Sequence, residues 1–254
     1  MSFPSYVELG FGEQHDQSST ATGNLALGTL GVTPDGNVYR YCKASGTGIA
    51  AGLFCTTITT PTHEDTVTVA HAVGTEALTV TAGGITANDF KDGYIVVTDG
   101  TGAGEIHRIK SNTATSGGTI TVTLYEGDGL KTAWSTSDTD VDLFVNPYSA
   151  LVICPVDGQQ LAVALTQGTI TASYYFWALA KGIGSFMVDS PAAAGLELDE
   201  KNIVQSLNHA GQGYIDGSPD ATAVLAGYRQ NLGFLVTEED ATDNAMELAK
   251  IDLI

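Results

Sequence analysis

Five histidines, three cysteines and 29 carboxylates are the side chains of this 254-residue sequence that could ligate a metal or move a proton, so their spacing is the first test of chemistry. His15, His63, His71, His107 and His209 never fall four residues apart, as two ligands on one helix face would. Cys42, Cys55 and Cys154 form no CxxC and are not spaced to complete a Cys/His site. An odd number of cysteines cannot all pair within the chain, so they read as small buried or partly buried thiols and not as a disulfide framework. His63 with Glu64 and Asp65, approached by His71 across a hairpin, is the best local arrangement for a cation, but the same residues read better as a solvated loop. No metal is expected. His107, on the polar face of its strand beside Arg108, reads as a surface or interface residue.

The remaining motifs fare no better as catalytic signals. Gly100, Gly102 and Gly104 are spaced by two, whereas a dinucleotide fingerprint needs its third glycine three positions beyond the second and a helix to follow. Here the next segment alternates like a strand. No GxxxxGK[ST] and no GxSxG occurs. Acidic groups cluster at Asp138, Asp140 and Asp142, at Glu197, Asp199 and Glu200, and at Glu238, Glu239 and Asp240. A glycosidase would need two of them across a cleft lined with rings. Asp140 and Asp142 alternate with Val141 and Leu143 as a solvent-facing edge would, so these acids read as solubilising, with weak divalent-ion binding between copies as the lesser reading. Tyr174, Tyr175, Phe176 and Trp177 are the most aromatic run. Strand alternation sends Tyr175 and Trp177 to one face and Tyr174 and Phe176 to the other, so the run belongs to a central strand or to a subunit contact, with carbohydrate stacking as a further use. The expectation is a protein with no catalytic residue and no cofactor.

Composition sets the class of partner. Ten Lys and Arg stand against 29 Asp and Glu, giving a net charge of -19, which repels phosphate backbones and anionic bilayers. Direct nucleic-acid or membrane binding is therefore not expected. Charged residues are only 15% of the chain, well below the usual quarter. The polar surface must come from 32 Thr and 30 Gly instead. Threonine favours strands and presents a methyl to one side and a hydroxyl to the other. No opening apolar leader and no run of 18 apolar residues is present, so synthesis and folding in a cytoplasm are expected.

The elements that must position these residues are mostly strands. Residues 1–23 are polar and Gly-rich and read as an extended arm, ordered only where something pairs with it. Leu30 and Val32 precede a turn at Pro34-Asp35-Gly36-Asn37, and 38–42 returns as a second strand. From 61 to 147, six or seven alternating stretches are separated by Gly, Ser, Asn and Asp turns, and 21 of the 32 threonines fall between Thr56 and Thr139. That part reads as an antiparallel barrel or sandwich module, with a hairpin joining 94–98 to 105–110 across the glycine loop. It is inserted in a second β-rich base domain formed by 24–60 and 148–254. In the base, 170–179 and 181–188 read as a pair of strands about a glycine bend. Residues 196–208 and 241–250 have some helical character, but the density of glycine favours strand and loop there. The fold class is all-β or mainly β with few short helices.

Several of these stretches together resemble a family. Leu27-Gly28-Thr29, Asp35-Gly36-Asn37-Val38-Tyr39-Arg40-Tyr41 and Gly52-Leu53 look like the opening of tailed-bacteriophage virion proteins, in particular capsid decoration or cement proteins. Similar too are 92–105 (DGYIVVTDGTGAGE), 108–112, Phe144-Val145-Asn146-Pro147-Tyr148 and the late Tyr175-Phe176-Trp177-Ala178 strand. The likeness touches most of the chain but lies in style, with no active-site pattern to carry over. It implies a structural virion protein on the capsid exterior, a homo-trimer or homo-dimer bound to the major capsid protein and stabilising contacts between its subunits. A tail or head-fibre component and a carbohydrate-binding β protein are the alternatives. Tyr174, Tyr175, Phe176, Trp177, His107 and Arg108 are the candidate interface residues.

Overall fold

The computed structural model describes residues 6–23, 25–57, 63–155, 160–188, 202–205, 210–215, 230–236 and 246–253. The chain divides into two compact units, Met1–Ile58 with Tyr148–Ile254, and Thr59–Pro147. The first passage through the first unit gives β1 (Val7–Glu8), β2 (Gln17–Ser18), β3 (Leu30–Val32), β4 (Val38–Lys43) and β5 (Phe54–Thr56). The second unit holds β6 (His63–Thr66), β7 (Ala77–Thr81), β8 (Tyr94–Asp99), β9 (Ile106–Asn112), β10 (Thr119–Leu124) and β11 (Asp140–Phe144). The chain then returns with β12 (Val152–Ile153), β13 (Ala164–Leu165), β14 (Tyr175–Met187), β15 (Asn202–Gln205), β16 (Gly213–Ile215), β17 (Asn231–Leu235) and β18 (Met246–Asp252). Helix is confined, among the described residues, to a three-residue 3-10 turn at Glu13–His15. The protein is mainly β, with two distinct sheets.

The second unit is one antiparallel sheet in the order β6-β11-β8-β9-β10-β7. Its sequence shows why one face is buried: in β10, Ile120, Val122 and Leu124 point inward while Thr119, Thr121 and Thr123 stay half-exposed. Leu78 and Val80 of β7, Ile95 and Val97 of β8, and Val141 and Leu143 of β11 supply the same inner face. β8 and β9 form the expected hairpin, with Ile95 opposite His107. Gly100, Gly102 and Gly104 in the connecting loop have φ of 74°, 94° and 89°, angles that other residues adopt at a cost. Among the described residues no ladder joins β6 to β7.

The first unit is organised about β14. Its main ladder runs β1-β3-β4-β14-β18-β17-β15-β16, with β2, β13, β5 and β12 joined at the side. All these pairings are antiparallel except that of β1 with β3. Neighbouring residues of β14 feed different cores. Trp177, Leu179 and Phe186 pack with Tyr39, Tyr41, Phe54 and Ile251. Phe176 and Ala178 pack with Cys42, Ile49, Cys55 and Leu151.

One sequence expectation is corrected here. Residues 170–188 do not form two strands about a glycine bend: β14 runs unbroken through Gly182 and Gly184 for 13 residues, with a bulge between Leu179 and Lys181. The glycines serve close packing instead. A Cβ at Gly182 would lie 2.0 Å from Asn37 Oδ1, and one at Gly184 would lie 2.3 Å from Leu179 Cδ2. The described part of the N-terminal arm is ordered where something pairs with it, and the partners lie in the same chain. β1 pairs with β3, β2 pairs with β14, and Leu9 is buried in the first core.

Elsewhere the glycine argument against helix holds, since the described parts of 196–208 and 241–250 are β15 and β18. Residues 224–228, whose apolar run reads from the sequence as a further strand, lie outside the described residues.

Gly182 has φ of 126° and no room for a methyl. Gly182→Ala is therefore expected to cost more than ~1 kcal/mol, read as a lower urea midpoint at unchanged slope. A midpoint equal to the parent chain's contradicts this account of the strand.

Candidate binding pocket and contact face

The residues nominated by the sequence fall into separate places. His107 is not at the surface: it is 2% exposed and sits between two carboxylates. Its Nε2 lies 3.0 Å from Glu105 Oε1 and its Nδ1 lies 3.2 Å from Asp128 Oδ1. Asp128 also accepts the Arg108 N–H at 3.0 Å, and Glu105 accepts the N–H groups of Lys131 and Thr132. The reason the alternation misled is that β9 places His107 on the same side as Ile109, with the 128–132 loop folded over it. Burial pushes the Glu105 carboxyl upward, but the hydrogen bonds from Lys131, His107 and Thr132 outweigh it and hold the group below its ordinary value. The guanidinium of Arg108 lies over the Tyr125 ring, 5.5 Å from the centroid. Tyr125 donates its hydroxyl to buried Asp92. Burial first, then the bond to Asp92 and its charge, push that phenol up to about 12 against the opposing pull of Arg108. These contacts tie the 125–132 loop to β9.

The other chemical candidates are spent on structure. His71 is buried and accepts the Thr79 N–H at 3.1 Å, with Trp134 edge-on at 6.1 Å. Among the described residues no group of three His, Cys, Asp or Glu side chains is placed to hold a metal. Cys42, Cys55 and Cys154 are all buried and unpaired with one another. Burial pushes all three thiols up, Cys154 to about 12, so they stay protonated and unreactive. Asp140 and Asp142 are half-buried on the outward face of β11, and Asp138 accepts the Thr101 hydroxyl at 2.7 Å. The clusters at 197–200 and 238–240 lie outside the described residues.

The aromatic run does meet a cavity. Phe176 is 1% exposed and belongs to the core, whereas Tyr175 and Trp177 share a pocket of about 410 Å³ with Tyr41. β4 and β14 set the rings side by side, since Trp177 pairs with Tyr41 across the ladder. Tyr41 and Tyr175 are nearly parallel at 5.8 Å, and Trp177 is tilted against Tyr41 at 5.1 Å. Gly31 admits the indole, because a Cβ there would stand 2.8 Å from Trp177 Cζ3. The roof is the N-terminal segment, with Glu13, Asp16, Gln17, Ser18 and Thr22 at the rim. Its anchors are polar. Gln17 accepts the Thr171 N–H at 2.8 Å and donates to Thr169 O at 3.1 Å; the Thr22 N–H donates to the Tyr41 hydroxyl at 2.7 Å; and Glu13 accepts the Gly10 N–H at 2.8 Å. The sequence reading named the aromatic half of this site but missed Tyr41 and the roof. Strand alternation in 38–42 puts Tyr41 on the same face as Tyr39 with nothing to set it apart, and a Gln- and Ser-rich arm carries no signal of where it docks.

A second feature lies on the open face of β14, β18 and β17. The ladder aligns Ile183 with Lys250 and Phe234, then Ser185 with Leu248, and the Val236 N–H bonds to Leu248 O. Ile183, Phe234, Val236, Met246 and Leu248 are all exposed, although they stand in adjacent rows of one sheet face. The charged residues among them are Lys181, Lys250 and Asp252, with Lys181 and Asp252 paired at 3.3 Å. Comparisons with family models, with curated proteins and with solved structures give no match.

Because the Glu105 carboxyl is held low in the folded state, its stabilisation is complete above the unfolded value and is lost as pH falls through the folded value. Melting temperatures measured between neutral and strongly acidic pH should fall more steeply below the ordinary Glu range of about 4.3 for the parent chain than for Glu105→Gln. Parallel profiles for the two proteins count against the network as described.

Proposed function

We propose that this chain is a structural virion protein of a tailed phage, a capsid decoration or cement protein that acts through its surfaces and not through catalysis. In this reading it self-associates as a dimer or trimer, binds the outer shell, and stabilises contacts between major capsid subunits. The likeness of 27–29, 35–41, 92–105, 108–112 and 144–148 to such proteins suggests the setting. The observation that carries the physical part is the apolar face of β14, β18 and β17. Contiguous exposed apolar side chains on a soluble protein mark contact surfaces.

Charge says which contact this is. Copies carrying a net charge of -19 repel one another. Among the described residues of this face, two lysines stand against one aspartate beside five apolar side chains, so in our reading contact there brings few acids together. Burial of such a face on assembly draws on roughly 25 cal/mol for each Å² of apolar surface removed from water. Contacts of modest strength then gain from repetition across a shell.

The test has two parts. Analytical ultracentrifugation of the purified chain should show a defined oligomer that Leu248→Asp or Phe234→Asp converts to monomer, with the near-ultraviolet circular dichroism unchanged. The parent chain, mixed with undecorated shells, should bind and raise their melting temperature, and the monomeric variants should bind far more weakly. A parent chain that stays monomeric, or that ignores shells under every ionic condition, refutes the proposal.

A further inference from the structure

We infer that the outward face of β8, β9 and β11 in the second unit is a self-complementary contact, on which two copies of this chain meet about a two-fold axis. It is distinct from the face of β14, β18 and β17 and does not depend on the virion reading. Ile95, Ile109 and Leu143 of these strands fill the core of the unit, so the residues alternating with them point to the other side of the sheet. On β8 these are Tyr94 and Val96, both half-buried. On β9 they are Ile106, which is 57% exposed, half-buried Arg108 and exposed Lys110. On β11 they are Asp140, Asp142 and Phe144, all half-buried.

The ladders fix how these side chains are arranged. Tyr94 stands between Arg108 and Phe144, and Val96 stands between Ile106 and Asp142. Lys110 lies beyond Arg108 at one end of the patch, and Asp140 lies beyond Asp142 at the other. Cations therefore occupy one corner and carboxylates the opposite corner, with four apolar side chains across the middle. Adjacent strands are about 4.8 Å apart, so β8 keeps the two kinds of charge from meeting within one copy. Among the described residues none of the four forms an ion pair. Arg108 is steadied by the Tyr125 ring, and its buried Nε has no hydrogen-bond partner there. Asp99, opposite Asp140, is spent on its own loop, where it accepts the Gly100 N–H at 2.8 Å. The next ladder sets Glu64 opposite Asp142, on the acidic side of the sheet.

This pattern matches itself. A two-fold axis in the plane of contact, along the line from Ile106 to Phe144, carries Arg108 and Lys110 of one copy over Asp142 and Asp140 of the other, and does so twice. The same rotation places Tyr94 against Val96 and sets Ile106 and Phe144 each against its counterpart. A uniformly acidic or basic partner would answer one corner and repel the other. Copies with a net charge of -19 repel at a distance, and here each offers cations to the other's acids. Eight side chains a copy is well below the roughly 20–30 residues of a stable interface. The contact is therefore weak alone and acts where copies are already held close together.

The test uses the full chain carrying Leu248→Asp, which removes the other contact and is monomeric at micromolar concentration. Sedimentation in low salt, from about 10 μM to about 1 mM, should show a monomer–dimer equilibrium with Kd of roughly 0.1–1 mM. The association should fade near 1 M salt, where the Debye length is about 3 Å. Lys110→Glu and Asp142→Lys, each added to that chain, set like charges face to face and should each weaken association about tenfold. An equimolar mixture of the two should restore it, because each new charge then meets its opposite on the other copy. Near-ultraviolet circular dichroism checks that each variant is folded, and Asp140→Lys serves in place of Asp142→Lys if that variant is not. No self-association at about 1 mM overturns the inference, as do variants that associate like their parent or a mixture no tighter than its components. Shell binding and the oligomer of the unmodified chain are measured separately, so each proposal can fail alone.

Discussion

The first unit depends on one strand with both edges occupied and, over its first half, both faces covered. β14 sends Trp177 and Leu179 into one core and Phe176 and Ala178 into the other, so its backbone is out of water along much of its length. Every N–H and C=O on such a strand needs a partner. β4, β2 and β13 supply one edge and β18 the other. Where β4 ends, side chains continue the ladder. Asn37 donates to Ile183 O at 3.2 Å and accepts its N–H at 2.8 Å, and Gln167 donates to Ser185 O at 3.0 Å and accepts its N–H at 3.1 Å. Each amide stands in for a peptide group. Gln17 does the same for Thr169 and Thr171, which is how the N-terminal roof is fastened.

That device explains which parts of the fold the sequence could announce. Strands of the second unit alternate Thr with Ile, Val and Leu, and a hairpin such as β8–β9 is bracketed by glycines with positive φ, so local pattern and tertiary outcome agree. β14 escaped because its glycines mimic a turn signal. Gly182 and Gly184 are small for the sake of Asn37 and Gln167, which are distant in the chain, and of Leu179 on the same strand, and none of the three carries a mark of that contact. The docking of residues 6–23 was hidden for the same reason: one glutamine and one buried leucine, Gln17 and Leu9, decide it. Half of the pocket was legible as an aromatic run needing cover on two faces. The other half comes from a segment whose composition says only that it is polar.

His107 and Trp177 make a useful contrast, since the sequence nominated both as interface residues and the structure buries both. His107 has a carboxylate oxygen at each ring nitrogen, and both carboxylates take further backbone N–H groups. Its polar demand is met inside the chain. A buried group so satisfied rigidifies its surroundings and has nothing left to offer a ligand.

Trp177 is 8% exposed and serves the core and the wall of a cavity at once. Burial alone therefore does not separate scaffold from site; what a side chain faces does. The same accounting distinguishes the two surfaces of the first unit. The face of β14, β18 and β17 offers apolar side chains whose backbone partners are already in place, so it gains by excluding water and favours a broad, flat partner. The pocket, lined by Tyr41, Tyr175 and Trp177 with polar residues of the N-terminal segment, admits only a ligand small enough to enter. One strand, β14, carries both, because its two ends differ in what lies over them: the N-terminal segment at Tyr175 and Trp177, and open solvent at Ile183.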